Sequence, residues 1–214
     1  MVKRVYIEGN IGSGKSTFCR VLREVLRASP EYQVELEPLD QWLAIKNSQG
    51  ENMLELYYKD PKEYGFVFQM TTFMTRCKTI TNVKPDTQVM ISERSNFTDK
   101  YIFTEICKEN GYITEVQGKV YDSLFDWLVK DTLDGDLYVY LRADYTTCHE
   151  RIKKRARSEE TQVPVELLKT LEEKHDAWLL EMGDNCVVVD TGSITEDDYE
   201  TVIKGLITKI NQIR

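Results

Sequence analysis

Gly9-Asn10-Ile11-Gly12-Ser13-Gly14-Lys15-Ser16 is a complete G-x-x-x-x-G-K-[ST] phosphate-binding loop, and its flanks settle how it is read. Lys3-Arg4-Val5-Tyr6-Ile7-Glu8 precedes it as a strand. Phe18, Val21, Leu22, Val25 and Leu26 follow at i, i+3, i+4, i+7 and i+8, one face of a helix. Strand, glycine loop and helix in that order are the context the motif requires. The glycines let backbone N–H groups turn toward a polyphosphate, and the positive end of the helix adds to the attraction. Gly9 through Thr17 are therefore expected to hold a nucleoside triphosphate, with Lys15 on the β- and γ-phosphates and the Ser16 hydroxyl on Mg²⁺.

Outward from this loop the chain alternates short apolar stretches with longer amphipathic ones. Strands are predicted over 3–8, 33–37, 88–93, 136–142 and 186–190. Helices are predicted around 15–28, 62–82, 95–109, 116–132, 145–155, 165–181 and 196–212. The alternation predicts an α/β fold, a five-stranded parallel sheet with right-handed crossovers and helices on both faces. Parallel strands covered on both sides are apolar on both, as Val187-Val188-Val189 is. Residues 38–60 are hard to place beyond Trp42 and Tyr58. No repeat, low-complexity tract or long linker divides the chain, so one domain over residues 1–214 is expected.

Composition narrows the partners. A chain of 214 residues with 41% hydrophobic content can bury a full core. Its 36 acidic against 28 basic residues give a net charge of −8, which opposes general nucleic-acid binding but allows a small anion in a locally basic pocket. Five scattered cysteines without a C-x-x-C pair read as reduced thiols, and two histidines are too few for a histidine-based metal site. A strand at the very start leaves no room for a signal peptide, and no 18-residue apolar run exists to span a membrane. A cytoplasmic location without membrane partners is the expectation.

ATPases, GTPases, kinases and motors all use a phosphate loop, so the acceptor has to be found elsewhere. The guanine-reading N-K-x-D element is absent. Open α/β sheets bind ligands at the carboxyl ends of their strands. There this chain carries Glu35-Leu36-Glu37-Pro38 and Ser92-Glu93-Arg94-Ser95, and after the fourth strand Arg151, Arg155 and Arg157 followed by Glu159 and Glu160. Together with Glu8 to Thr17, Trp42 and Phe66-Val67-Phe68-Gln69, these elements resemble the cellular deoxynucleoside kinases in order from residue 3 to about residue 200. The nearest likeness is to the deoxycytidine, deoxyguanosine and mitochondrial thymidine kinase group. The resemblance implies a P-loop kinase fold with an arginine-rich lid at about 151–162, ATP as donor with Mg²⁺, a deoxynucleoside acceptor and a homodimer.

The resemblance also assigns roles residue by residue. Glu37 matches the carboxylate that accepts the 5′-hydroxyl proton. Phosphoryl transfer otherwise rests on positioning and on neutralising charge. Lys15, Arg94, Arg151 and Arg155 would supply that charge, and Arg155 and Arg157 would also grip ATP. Arg151 and Arg155, four apart, share a helix face. Glu93 at the end of its strand would hold Mg²⁺ with Ser16. Gln69 offers a donor and an acceptor to a Watson–Crick edge, and Arg76 follows seven residues later on nearly the same face. Asp99 matches the carboxylate paired with this arginine. Such a pair suits an amino-bearing base and leaves little room for a thymine methyl, favouring deoxycytidine and purine deoxynucleosides. Phe68 and Phe103 would sandwich the base, Trp42 would wall the sugar side, and Tyr58 and Glu160 would contact the 3′-hydroxyl.

Several positions depart from the family pattern. Thr72, Asn96 and Leu39 are expected near the base edge, Ala156 replaces a lid glycine, and Ile194 replaces a donor-base aromatic. Two rivals are weighed against the leading expectation. A thymidylate-type nucleoside monophosphate kinase would present an acceptor phosphate to Glu37, which would repel it. A non-catalytic nucleotide-binding scaffold would not need Lys15, Ser16, Glu37 and Arg94 together.

Overall fold

Five parallel strands form a single sheet in the order β2-β3-β1-β4-β5, in a computed structural model that describes residues 2–156 and 163–213. The strands are β1 (Lys3–Glu8), β2 (Tyr32–Glu35), β3 (Val89–Glu93), β4 (Leu137–Arg142) and β5 (Cys186–Asp190). The five expected strands are present. The second ends at Glu35 rather than at residue 37, because Leu36, Glu37 and Pro38 leave the ladder to lead into a helix.

Period-two alternation divides the core between two faces. On one, Val5, Ile7, Val139 and Leu141 pack with Phe18 and Leu22 of α1 (Lys15–Val25) and with Ile203, Leu206 and Ile210 of α10 (Tyr199–Gln212). On the other, Tyr6, Tyr138 and Tyr140 meet Phe73 and Ile80 of α4 (Pro61–Thr81), Tyr121 and Phe125 of α7 (Glu115–Leu128), and Leu179 of α9 (Val165–Leu179). The crossovers leaving β1 and β3 run in opposite directions across the sheet, so their loops diverge where those two strands end. That divergence opens the ligand crevice of a doubly wound sheet. The expectation that β5 is apolar on both covered faces fails at Val188, which is 46% exposed because β5 is an edge strand.

Residues 38–60 contain two short helices, α2 (Leu39–Ala44) and α3 (Met53–Lys59). A reciprocal capping box starts α3: Asn52 accepts from the Glu55 N–H while the Glu55 carboxylate accepts from the Asn52 N–H. The helix expected over 95–109 is interrupted. A turn of α-helix, α5 (Asn96–Thr98), leads into a π-helical stretch (Asp99–Thr104) before α6 (Glu105–Glu109). π turns concentrate at functional sites, and this one carries Asp99 and Phe103 to the same cavity. Helix α8 (Tyr145–Arg155) follows β4 and ends at Ala156 in a left-handed cap, φ 51°. Among the described residues no helix is long and apolar enough to cross a membrane.

Candidate active site

At the carboxyl edge of the sheet one cavity joins the phosphate loop to a largely aromatic pocket. It is lined by Ile11, Gly12, Gly14, Lys15, Ser16 and Thr17 on one side and by Trp42, Tyr57, Phe68, Gln69, Arg76 and Phe103 on the other. Glu37, Glu93 and Arg94 also border it.

The loop's shape is fixed by backbone crowding. A Cβ on Gly9 would stand 2.5 Å from the Leu141 carbonyl oxygen, and one on Gly12 would stand 2.5 Å from that of Cys148. Both residues have positive φ, 142° and 85°, so side chains are excluded twice over. No side chain caps α1, which leaves its first-turn N–H groups available to an anion. Gly9, Asn10 and Ser13 do not line the cavity; they shape it. Asn10 donates from Nδ2 to the Leu168 carbonyl and accepts the Ile11 N–H, each at 2.8 Å, tying the loop to α9.

Lys15 is buried and donates from Nζ to the carbonyls of Gly9 and Asn10, at 3.0 and 2.5 Å. Burial, with Arg94 nearby, pushes its ammonium down to about 8. A lysine that must be charged to meet a polyphosphate then loses its proton within the working range. The affinity for a nucleoside triphosphate expected from the loop motif should therefore fall as pH rises past about 8. A profile that stays flat through that value contradicts the role.

Ser16 Oγ donates to Glu93 Oε1 at 2.6 Å, and the Glu37 N–H donates to Glu93 Oε2 at 3.2 Å. A hydroxyl and a carboxylate at the loop's mouth are hard oxygen donors of the kind Mg²⁺ takes beside substrate phosphates. Among the described residues no group of three or more His, Cys, Asp or Glu side chains comes together to hold a metal ion by itself.

Arg76, 1% exposed, organises the other end of the cavity. Its Nε and Nη2 donate to Asp99 Oδ2 and Oδ1 at 2.8 and 3.2 Å, Nη2 also donates to Glu37 Oε1 at 2.9 Å, and Nη1 to the Glu93 carbonyl at 3.0 Å. Among the described residues each Asp99 oxygen accepts one side-chain hydrogen bond, from Arg76, and Gln69 Oε1 has no partner. The pocket's polar edge is thus rich in acceptors. Gln69 Nε2 faces the Cys107 sulfur at 3.7 Å.

Glu37 lies between the two halves. Arg94 Nε stands 3.4 Å from its Oε1, opposite Arg76. Burial alone would raise the Glu37 carboxyl, but Arg94, Arg76 and Lys15 outweigh it and hold the group below the ordinary range. Arg94 occupies the left-handed region at φ 65°, a conformation costing a non-glycine residue about 1–2 kcal/mol. Its guanidinium lies over the Phe103 ring, 4.9 Å from the centroid, and Nη1 is buried without a partner among the described residues.

Phe68 stacks on Tyr57 at 4.5 Å and meets Trp42 edge-on at 5.6 Å, while Trp42 Nε1 donates to Thr75 Oγ1 at 2.9 Å. Tyr58 lines the cavity, and so do Leu39 and Thr72, the last with its hydroxyl donating to the Gln69 carbonyl. Asn96 does not line the cavity; its Nδ2 donates to the Phe73 carbonyl at 3.1 Å. Arg155 lines the cavity, whereas Arg151 lies behind it, donating to the Thr191 carbonyl at 2.6 Å. Arg157 and Glu160, with the rest of the lid expected at about 151–162 beyond Ala156, lie outside the described residues. Sequence inspection missed Tyr57, Leu54, Arg20 and Leu167 as lining residues. The Asn52–Glu55 capping pattern was a legible signal for α3, and hence for Leu54 and Tyr57.

Comparison with known proteins bears on this geometry. A family model described as "Deoxynucleoside kinase" matches residues 5–213. A probable deoxycytidine kinase of fowlpox virus (strain NVSL) is 36% identical over 187 residues, covering 86% of this chain and 74% of that protein. The deoxycytidine kinase of Mus musculus is 32% identical, covering 84% of this chain and 76% of its own length. The mitochondrial deoxyguanosine kinase of Xenopus laevis is 33% identical, covering 83% and 73%.

Proposed function

This chain belongs to the deoxynucleoside kinase family, and on that premise we propose that it transfers the γ-phosphoryl group of ATP to the 5′-hydroxyl of a deoxynucleoside, favouring deoxycytidine and purine deoxynucleosides over thymidine. The observation that carries this is Glu37, a carboxylate kept ionised by Arg76 and Arg94 between a phosphate loop and an aromatic pocket. It is suited to accept the hydroxyl proton as the oxygen attacks phosphorus. An acceptor that already carried a phosphate would meet this carboxylate as a like charge, which disfavours the nucleoside monophosphate kinase alternative.

In this scheme Lys15 and the α1 amides orient the donor phosphates, and Arg94 and Arg155 offset charge on the transferred group. Ser16 and Glu93 would hold Mg²⁺, which when bound neutralises charge on the β- and γ-oxygens. Arg151 would add to the neutralising charge, Arg155 and Arg157 would bind ATP, and Glu160 would contact the 3′-hydroxyl, as the family pattern implies. The acceptor-rich edge of Asp99 and Gln69 suits an exocyclic amino group and opposes a carbonyl in the same place. Phe68, Phe103, Trp42 and Tyr58 enclose base and sugar. The free cysteines suit a reducing compartment such as the cytoplasm.

Incubation with Mg²⁺–ATP and either deoxycytidine or its 5′-monophosphate tests the assignment. The expected products are the monophosphate and ADP from deoxycytidine, with the monophosphate inert. Turnover of the monophosphate alone would replace this assignment with its rival.

A homodimer completes the proposal. Val67 and Met74 on α4, and Val116, Val120 and Trp127 on α7, form exposed apolar stripes, with Trp127 75% exposed. The rings of Phe73 on α4 and Tyr121 on α7 meet with centroids 5.3 Å apart, and the exposed apolar residues of both helices suit a second copy of this surface. Trp127→Glu is expected to shift the sedimenting species from dimer to monomer. A wild-type chain that sediments as a 25.0 kDa monomer contradicts this.

A further inference from the structure

Glu8 ends the central strand and is fully buried, yet it does not line the cavity and takes no part in the chemistry described above. A buried carboxylate is costly unless its oxygens are hydrogen-bonded. Both are bonded, and to one short segment. Ser95 Oγ donates to Oε1 at 2.6 Å, and Thr98 Oγ1 donates to Oε2. Ser95 Oγ in turn accepts the Thr98 N–H at 3.2 Å, capping the turn that leads to Asp99 and Phe103.

The neighbouring residues complete a grip. Ile7, one residue before Glu8, accepts the Arg94 N–H through its carbonyl at 2.9 Å. Two successive residues of β1 therefore hold two successive residues of the turn after β3, Ile7 on Arg94 and Glu8 on Ser95. Arg94 is one of only two non-glycine residues with positive φ among those described. Backbone in such a region persists only where its surroundings over-determine it. Here the Ser95 side chain, the Thr98 side chain and the Arg94 amide are all fixed from β1, leaving the Arg94 side chain to lie between Glu37 and Phe103.

We propose that Glu8 is a positioning residue for phosphoryl transfer: by clamping Ser95 and Thr98 it holds Arg94 in its left-handed conformation and so aims the guanidinium at Glu37 and the transferred group. The inference rests on the assignment of Arg94 to the transfer machinery. Glutamine in its place keeps one acceptor oxygen but sets an N–H₂ group against the second hydroxyl, loosening the clamp at almost constant volume.

A double-mutant cycle tests it, with Glu8→Gln and Arg94→Ala made singly and together, and kcat, KM and thermal midpoint measured for each. Glu8→Gln is expected to lower kcat by about tenfold to a hundredfold, since misplacement on the ångström scale has that effect, with KM values unchanged within about twofold. In the Arg94→Ala background the same substitution is expected to change kcat by no more than about twofold. Thr98→Val, which removes one of the two hydroxyls, should show the same dependence on Arg94 with a smaller loss, and serves if Glu8→Gln does not fold. Losses that multiply in both backgrounds overturn the clamp alone and leave Glu8 a residue of the fold. An Arg94→Ala enzyme with wild-type kcat overturns both the clamp and the role given to Arg94.

Discussion

Glu37→Gln is expected to lower kcat for deoxycytidine by about 10²- to 10⁴-fold, the range that loss of a positioned proton acceptor produces. The substitution is sharp because little else changes. A glutamine oxygen can still accept from Arg76 Nη2, now at 2.9 Å from the carboxylate, and the group is only partly buried at 24% exposure. The thermal midpoint should therefore move little while turnover collapses. Wild-type activity should also persist into mild acid. Arg94, Arg76 and Lys15 overcome the effect of burial and keep Glu37 below its ordinary value, so the base stays deprotonated until pH falls past the usual carboxylate range. The stability this group contributes follows the same sign: present above its unfolded pKa, lost as pH drops through the lower folded one. A Glu37→Gln enzyme that keeps full kcat would remove Glu37 from the chemistry.

Arg76→Met should have the largest effect on stability, about 3–5 kcal/mol, because it strands a buried carboxylate. Asp99 is 2% exposed and, among the described residues, takes both of its side-chain hydrogen bonds from Arg76, while Glu37 would be left with Arg94. For a chain of this size that loss lowers the thermal midpoint by roughly 10 °C. Adding Asp99→Ala removes the stranded charge and should restore most of the midpoint. The double variant also removes the Asp99 acceptors, leaving Gln69 and more space where thymine would carry a carbonyl and a methyl. Its ratio of kcat/KM for deoxycytidine over thymidine is expected to fall by at least about 100-fold. A double variant that keeps the wild-type ratio would place base recognition elsewhere.

Much of this arrangement was legible because its signals are local. Residues 3–26 carry a motif, a strand and an amphipathic period in one continuous run, and the structure places each where that run requires. Strand positions followed from short apolar runs. Val188 went astray because a sequence does not reveal which strand forms the sheet's edge. The extra residue per turn between Asp99 and Thr104 was hidden too, since a π-helical turn has no local signature distinct from the α-helix around it. Asn96 was expected near the base edge as a departure from the family pattern, and its amide instead donates to a backbone carbonyl on α4. Glu8 was visible only as part of a motif. Its partners lie 87 and 90 residues away, and nothing short of the folded sheet brings them together.

The most direct test of the account is kcat/KM of the wild-type enzyme for deoxycytidine and for thymidine, measured side by side with saturating Mg²⁺–ATP. The Asp99–Arg76–Gln69 edge predicts that deoxycytidine is preferred by well over an order of magnitude, because a thymine carbonyl would leave buried acceptors facing another acceptor. Equal or better use of thymidine would contradict that pocket while leaving the phosphate loop and Glu37 as described.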